Sequence, residues 1–564
     1  MPYLNTQALQ NFYKTSPMRE GVLAWYPFAG GSSVLEQSGG ALTQLLRSKC
    51  RDVTTFSGEY AGKDTFDYVV AVDPGEITAV LLEKYHGCLK PHGRLLLAFE
   101  NPYGLQYFAG KRNPRTGTPF RFWSGESKAE VSNRLKLAGF EGQKWYYPFT
   151  NHYFSREVYS ENYLPNEFLN HRGHVFIEDD YPKAFDERGV WKELIRGGAF
   201  EFMCNAYLAE ARTCGGDAPC DVDFAAVTAY RERGKAFVTT VHNNGAARKT
   251  ALFEEGTERL KAIADNHNDL ARLGTNILPV TFMDGELTMK RLDLPTLWDY
   301  WADKLSRGTL AENELFSHFD RIRNAIYASA KDGRCYWELV PANCFYDEKK
   351  DEMTFFDQEY YWENTDPDMA LVRAIYAMEY SDAFRGSPQT EDWAETLKNR
   401  YGLTEKWDAL AETADVRTRE YVFNGAYTQD LNRAAERAGE RMAERTEERV
   451  AERAEERARY NKMCIAAVGL KAMNVTRPAI YGYGIRGKML RFVLESMDMD
   501  IACIIDRRTP VVRGIPLYGN VRDIPGENMP DIVVVTVTGA DAVALELRAA
   551  LSCPAVTIEE IVNG

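Results

Sequence analysis

Short apolar segments alternate with stretches of helical periodicity through the first 210 residues. The apolar segments are, in order, VLAWYPF, SSVLEQ, DVTTF, FDYVVAV and GRLLLAFEN. Strands that alternate with helices pair in parallel and are covered by those helices. We therefore expect residues 1–210 to form an α/β domain with a Rossmann-like, mainly parallel sheet.

The length of the chain, 564 residues, predicts several domains, because single hydrophobic cores rarely grow beyond about 250–300 residues. The glycine-rich segment ARTCGGDAPCDVD breaks the pattern after residue 210. Residues 221–425 are mixed first and helical later, as in an α+β domain. A charged helical spacer is expected over 426–470, and a small Rossmann-like α/β domain over 475–564.

Composition excludes some classes of protein. The net charge is −14, which argues against general nucleic-acid binding, because phosphate neutralisation needs a local surplus of Lys and Arg. Cys214 and Cys220 lack the spacing of a zinc knuckle, so structural, reduced thiols are expected. Neither a signal peptide nor an apolar run of transmembrane length is found, and we expect a cytoplasmic protein.

A charged repeat, AERAGERMAERTEERVAERAEERA, precedes the C-terminal part. Small or apolar residues recur at every fourth position from 434 to 458. A period of four makes this line wind around a helix by about 40° per repeat, instead of forming the straight seam of a coiled coil. Two interpretations remain: a solvated helical spacer, or a helix that joins copies of the chain into a homo-oligomer.

Two segments of the first 210 residues resemble class I AdoMet-dependent methyltransferases. LKPHGRLLLAFENPYGLQYFAG (Leu89–Gly110) is similar to a late strand of that family with the helix end before it and the loop after it. KLAGFEGQKWYYP (Lys136–Pro148) is similar to the family's closing helix and antiparallel strand. The resemblance implies S-adenosyl-L-methionine as a methyl donor.

The donor loop of that family has the form E-x-G-x-G, and VLEQSGGALTQLL offers Glu36, Gly39 and Gly40 for it. Glycines there let the backbone approach the ligand, but this loop is about two residues short. Glu59 would hold the ribose hydroxyls, and Asp73 would lie near the entering substrate; alternatively both are solvent-facing loop acids. The nine residues SGEYAGKDT leave no room for the family's next helix and strand.

The segment WELVPANCFYDEKKDEMTFFDQEYYW resembles the catalytic and metal-binding loops of protein kinases and aminoglycoside kinases. By that resemblance Glu338 is the catalytic acid/base, and Asn343 and Asp357 hold magnesium against the ATP phosphates. Glu338 stands where the family has Asp, which moves the carboxylate outward by one methylene. The alternative is an ordinary loop with two acids and an Asn.

Upstream, FVTTVHNNGAARKTALF predicts a hairpin with Lys249 on its second strand, where the kinase superfamily carries its phosphate-gripping lysine. Glu255 and Glu258 are the candidates for the ion-pair partner of Lys249. The loop HNNG is a hairpin turn, and no G-x-G-x-x-G loop precedes Lys249.

A methyltransferase-like part, a kinase-like part and a charged helix, in this order, resemble bifunctional proteins of bacterial surface-polysaccharide synthesis. The resemblance implies a glycan or lipid-linked saccharide as acceptor, with AdoMet and Mg-ATP as cofactors. The alternative is a non-catalytic scaffold that keeps the folds, which the short donor loop and Glu338 favour.

The C-terminal segment YGYGIRGKMLRFVLESMDMDIACIIDRR has Gly482, Gly484 and Gly487 in G-x-G-x-x-G spacing and Asp506 after the next strand. Between a strand and a helix, this pattern is typical of nucleotide binding, with a phosphate at the helix N-terminus and a ribose hydroxyl at the acid. About 88 residues leave little room for a catalytic half. We therefore expect a module that binds a dinucleotide or a sugar nucleotide.

Overall fold

The computed structural model of the chain describes residues 17–56, 62–111, 126–153, 155–167, 187–213, 218–229, 231–379, 388–423, 462–508 and 514–563, with Phe185, Phe384 and Val512 as isolated positions. The chain divides into two compact units, Met1–Ala438 and Gly439–Gly564. Glu59, Cys214 and the repeat over 434–458, all of which carry sequence predictions, lie outside the described residues. No helix within the described segments is long and apolar enough to span a membrane.

Twelve strands of the first unit form one sheet. They are β1 (Ser33–Glu36), β2 (Asp52–Thr55), β3 (Phe66–Val72), β4 (Leu89–Glu100), β5 (Gly142–Phe149), β6 (Glu157–Ser160), β7 (Ala206–Arg212), β8 (Val222–Val227), β9 (Phe237–His242), β10 (Ala246–Ala251), β11 (Val280–Met283) and β12 (Glu286–Lys290). Their order across the sheet is β11-β12-β10-β9-β8-β6-β5-β7-β4-β3-β1-β2. The strands β2, β1, β3 and β4 pair in parallel, and all other neighbours pair antiparallel.

The earlier helices of the first unit flank the sheet, and the later ones pack together in a helical part. The first six are α1 (Ala41–Lys49), α2 (Ala79–Cys88), α3 (Leu105–Ala109), α4 (Lys128–Leu137), α5 (Glu187–Arg196) and α6 (Phe200–Met203). The later ones are α7 (Thr257–Arg272), α8 (Leu297–Ser306), α9 (Glu312–Ala330), α10 (Pro367–Glu379), α11 (Pro388–Arg400) and α12 (Trp407–Phe423). Two small ribbons pair β13 (Arg334–Tyr336) with β16 (Tyr361–Glu363), and β14 (Cys344–Asp347) with β15 (Glu352–Phe355).

Both faces of the inner parallel strands β1, β3 and β4 are largely buried, which explains their apolar sequences, whereas the edge strand β2 is mostly exposed. Side chains alternate between the faces: in β3, Val69 lies in one core and Val70 in the other. Leu42 and Leu46 of α1 cover one face, whereas α2, α4 and α5 cover the opposite face. This layering is the α/β arrangement that the alternating sequence predicts.

The strand at 142–149 differs from the expectation for Lys136–Pro148. β5 is antiparallel to its neighbours β6 and β7, and it therefore runs in the same direction as β4. The strand inserted antiparallel between them is β7. The prediction that placed the antiparallel strand directly after α4 is therefore wrong, because a strand from about 60 residues later along the chain occupies that place.

The strands predicted for two separate domains share the sheet. β8 pairs with β6 through Glu157 opposite Ala226 and Val158 opposite Ala225. Nearby, the ammonium group of Lys144 donates to the carbonyl oxygens of Cys220 and Val222 and to Oδ1 of Asp223, each at 2.8 Å. The glycine-rich break at 211–223 thus lies between two strands of one sheet.

The second unit contains a five-stranded parallel sheet and helices. Its strands are β17 (Pro478–Tyr481), β18 (Cys503–Ile505), β19 (Leu517–Tyr518), β20 (Ile532–Val535) and β21 (Ala555–Thr557), in the order β19-β18-β17-β20-β21. Its helices are α13 over residues 462–472, α14 (Ile485–Ser496), α15 (Ala540–Ala550) and α16 (Ile558–Asn563). A sheet that grows outward in both directions from its first strand is the arrangement of Rossmann-like folds.

Candidate functional site

Lys249 lies on β10, the second strand of the hairpin that the sequence predicts. Its side chain is only 5% exposed, and Nζ lies 2.5 Å from Oδ1 of Asp357. The same ammonium group donates to Oε1 of Glu359. A buried lysine therefore contacts two carboxylates from one short segment of chain.

Asp357 and Asn343 are brought together by the β14–β15 ribbon. The amide of Phe356, next to Asp357, donates to the carbonyl oxygen of Asn343 at 3.0 Å. Nδ2 of Asn343 donates to the carbonyl oxygen of Glu338 at 3.4 Å, which leaves its Oδ1 as an oxygen ligand for a cation. The side chain of Asp357 is 40% exposed, so a metal ion can reach it.

The charges of this site hold one another in their ionised forms. Burial alone would lower the pKa of Lys249, but Asp357 and Glu359 hold that pKa above its ordinary value. Burial would raise the pKa of Glu359, but Arg231 and Lys249 hold it below its ordinary value. Arg231 lies 2.6 Å from Oε2 of Glu359.

Glu338 occupies a different environment from an acceptor-facing base. The residue is buried, and its Oε2 accepts hydrogen bonds from the amides of Glu359 at 2.7 Å and Tyr360 at 3.0 Å. Burial, with the charges of Glu359 and Asp357, raises the pKa of Glu338. Oε2 of Glu338 is thus engaged with the backbone of the segment that follows Asp357.

The two predicted partners of Lys249 lie elsewhere. The carboxylate of Glu255 is exposed and pairs with Arg233 at 2.8 Å, and Glu258 lies exposed in the first turn of α7. The partner that the structure provides is Glu359. The prediction was wrong because it took the partner from the next helix, whereas a turn more than a hundred residues later reaches Lys249.

This arrangement suits magnesium and a nucleotide. No group of three or more His, Cys, Asp or Glu residues that could hold a metal occurs within the described ranges. A metal held by Asn343 and Asp357 would therefore complete its shell with phosphate oxygens and water, as Mg²⁺ does in phosphoryl-transfer sites. Lys249 adds a fixed positive charge beside that position. The side chains fit Mg-ATP.

The methyl-donor loop follows β1. Glu36 is fully buried, its Oε1 accepts from the amides of Ser38 and Gly39, and its Oε2 accepts from the hydroxyl of Thr43 at 2.9 Å. Gly39 and Gly40 have φ of 71° and 69°, which only glycine adopts readily. Because the loop amides already bond Glu36, the loop fits AdoMet less well than the lysine site fits Mg-ATP.

Asp73 and His152 form a pair at the carboxyl ends of the parallel strands, where α/β sheets bind ligands. Nε2 of His152 lies 2.6 Å from Oδ1 of Asp73, whose side chain is 30% exposed. Burial would raise the pKa of Asp73, yet His152, Tyr153 and Arg19 hold it below its ordinary value. Nδ1 of His152 is buried and makes no hydrogen bond to a described residue.

Arg19 is the second residue of this edge that sequence reasoning missed. It is 1% exposed, and its Nε and Nη1 make no hydrogen bond to the described part of the chain. Neither Arg19 nor His152 belongs to a motif, and both come from segments distant from Asp73 in sequence: His152 contacts it, and Arg19 acts on it through its charge. The sequence offered no local pattern that would have identified them.

Glu20, next to Arg19, gives a prediction about pH. Burial raises the pKa of Glu20 from 4.5 to about 7, against the pull of Arg233 and Lys49. The folded state therefore binds a proton more tightly than the unfolded state, and stability falls as pH rises from 4.5 through 7. Replacing Glu20 with Gln should remove about 2–3 kcal/mol of that fall between pH 4 and pH 8, measured by urea unfolding at both pH values. An unchanged pH profile would contradict this assignment.

In the second unit Gly484 and Gly487 of the glycine pattern have different surroundings. A Cβ on Gly487 would lie 2.1 Å from the carbonyl oxygen of Gly482, whereas one on Gly484 would meet nothing within 4 Å. Gly487 thus permits close packing of α14 on β17, and Gly484 leaves space in front of the helix N-terminus. Asp506 accepts from the amide of Tyr483 at 2.7 Å. The side chain of Arg508, with the amides of Arg508 and Tyr483, lowers the pKa of Asp506 to about 2.

These surroundings predict opposite outcomes for two similar substitutions. Gly487→Ala should destabilise the second unit by about 2–3 kcal/mol, because the new methyl group collides with backbone. Gly484→Ala should change its stability by less than about 0.5 kcal/mol. Thermal melts of both full-length variants measure the difference, and equal losses would show that the packing of α14 does not depend on Gly487.

Solved methyltransferases and a kinase domain are among the structures similar to this chain. A SAM-dependent methyltransferase from Thermotoga maritima is 12% identical with a TM-score of 0.21, over 37% of this chain and 95% of that chain. One from Mesorhizobium loti is 14% identical with a TM-score of 0.20, over 36% and 99%. The PknI kinase domain of Mycobacterium tuberculosis is 16% identical with a TM-score of 0.23, over 34% and 90%.

No protein-family model matches the chain, and no curated protein sequence matches it. These TM-scores and identities are too low to indicate the chemistry of the site, which follows from its own residues alone.

Proposed function

We propose that the chain is a transferase whose kinase-like part binds Mg-ATP at Lys249, Asn343 and Asp357. The observation that carries the proposal is the contact of 2.5 Å between buried Lys249 and the partly exposed carboxylate of Asp357. A fixed positive charge beside a metal-binding carboxylate suits a nucleotide, because the phosphates bring several negative charges into a small volume. When bound, Mg-ATP would supply a phosphoryl group.

The acceptor in this proposal is a glycan or lipid-linked saccharide of bacterial surface-polysaccharide synthesis. Its support is the order of the parts along the chain, methyltransferase-like and then kinase-like. AdoMet is the ligand to test at the carboxyl edge of β1 and β3, where Asp73 and His152 lie. The amides of Ser38 and Gly39 in the donor loop bond Glu36 and are not free to bind the donor.

A second candidate function is nucleotide binding without phosphoryl transfer. The environment of Glu338 favours it, because the side chain is buried and its Oε2 accepts from two backbone amides, so this oxygen is not directed at an acceptor hydroxyl. The chain would then act as a scaffold that senses nucleotides. The second unit, with its open Gly484, would contribute a dinucleotide or sugar-nucleotide site in either case.

Thermal shift of the full chain with Mg-ATP, AdoMet, NAD and UDP-glucose, each alone, tests these assignments. Mg-ATP at 100 times its Kd should stabilise the first unit by about 2.7 kcal/mol. A product assay with labelled ATP and a saccharide acceptor then separates the two candidates: transfer supports the enzyme, and binding without transfer supports the scaffold. No stabilisation by Mg-ATP would refute the proposal.

A further inference from the structure

Glu359 lies two residues after Asp357 and is almost fully buried. Its two carboxylate oxygens have different partners, since Oε1 accepts from Lys249 and Oε2 accepts from Arg231 at 2.6 Å. A carboxylate bonded at both oxygens by cations has a fixed position and orientation. Glu359, which accepts from Lys249, is therefore itself fixed in place by Arg231.

The backbone that carries Glu359 is fixed from several sides. Oε2 of Glu338 accepts from the amides of Glu359 and Tyr360. From α7, Nδ2 of Asn266 donates to the carbonyl oxygens of Gln358 at 3.0 Å and Glu359 at 3.3 Å. Helix α7 thus supports this turn through an amide side chain bonded to backbone, and it supplies no acid to Lys249.

We propose that Glu359 is the residue that positions Lys249 for the nucleotide phosphates, an inference that rests on the proposed binding of Mg-ATP. Asp357 cannot fill this role while it binds a metal, because its carboxylate then faces the cation. Glu359 keeps its contacts with Lys249 and Arg231 in that state. Glu338, at the position of the catalytic acid/base, acts here by holding the amide of Glu359.

This assignment makes the position of Lys249 independent of any acid on α7. Glu255 is the natural control, because it was a predicted partner of Lys249 but pairs with Arg233 on the surface. Glu359→Gln should weaken Mg-ATP binding at least about 10-fold, because the variant keeps the shape but loses the charge that orients Lys249. Glu255→Gln should bind Mg-ATP like the unaltered chain.

A double-mutant cycle separates positioning from a general structural effect. If Glu359 acts through Lys249, Glu359→Gln should cost no further affinity in a Lys249→Met background. Glu359→Asp should bind Mg-ATP more tightly than Glu359→Gln, because it retains the charge. Arg231→Gln, which removes the second anchor of Glu359, should weaken binding in the same direction and by less.

Calorimetric titration of these full-length proteins with Mg-ATP gives the test, with circular dichroism melts to confirm folding. If the unaltered chain binds Mg-ATP and Glu359→Gln binds as tightly, the positioning role is overturned while the proposed function stands. Full additivity of Glu359→Gln and Lys249→Met would overturn it in the same way. If the unaltered chain does not bind Mg-ATP, the proposed function fails first, and the role of Glu359 fails with it.

Discussion

Replacing Asp357 with Asn should weaken Mg-ATP binding at least about 100-fold, or about 2.8 kcal/mol. Asn has the size of Asp but lacks the charge that a divalent cation requires from its carboxylate ligand. Asp357 is also one of the two carboxylates that contact Lys249, so the variant leaves the ammonium group with Glu359 alone. Calorimetric titration of the folded variant measures the loss.

Asp408→Asn is the matched control for that experiment. Asp408 lies exposed on α12, and the same chemical change there should leave Mg-ATP affinity unaltered. Magnesium dependence should disappear only in Asp357→Asn. Tight, magnesium-dependent binding by that variant would remove Asp357 from the metal site.

The second large effect concerns the sheet of the first unit. Lys144→Met should destabilise the chain by about 3–5 kcal/mol, because it removes the cation that pairs with the buried carboxylate of Asp223 and takes a donor from two buried carbonyl oxygens. The side chains of Lys144 and Asp223 are 7% and 6% exposed, so water cannot replace the lost ammonium group. The loss should appear in urea unfolding monitored by tryptophan fluorescence.

Lys136→Met provides the comparison, since Lys136 is exposed on α4 and its loss should cost less than about 0.5 kcal/mol. Because β6 and β8 pair beside Lys144, the methyltransferase-like and kinase-like strands should lose structure together in the Lys144 variant. A change below about 1 kcal/mol would mean that Lys144 does not join these strands.

Sequence periodicity predicts the strands that follow the helices in both units, because buried parallel strands have continuous apolar sequences. The neighbours of a strand are harder to predict. β7 lies between β4 and β5 although about 60 residues separate β5 from β7 along the chain, and β8 continues the sheet after a glycine-rich break. Such pairings depend on which edge strand is free to accept another, and local sequence does not specify that.

In the candidate site too, local sequence predicts some residues, whereas others are recognised only from the fold. Lys249, Asn343 and Asp357 were predicted from the resemblance to kinase loops, and each lies in a local element, one hairpin or one ribbon. Glu359 was missed as the partner of Lys249, although the segment FFDQEYYW places an acid two residues after Asp357. Only the fold reveals that this acid, and not one on α7, reaches the lysine, and that Glu338 bonds the same turn.

Binding of ATP to the full chain, titrated by calorimetry in Mg²⁺ and again in EDTA, tests the central claim most directly. The arrangement of Lys249, Asn343 and Asp357 predicts one nucleotide per chain in Mg²⁺ and a loss of affinity of at least about 10-fold in EDTA. Absence of binding in Mg²⁺, or equal affinity with and without the metal, would contradict the assignment.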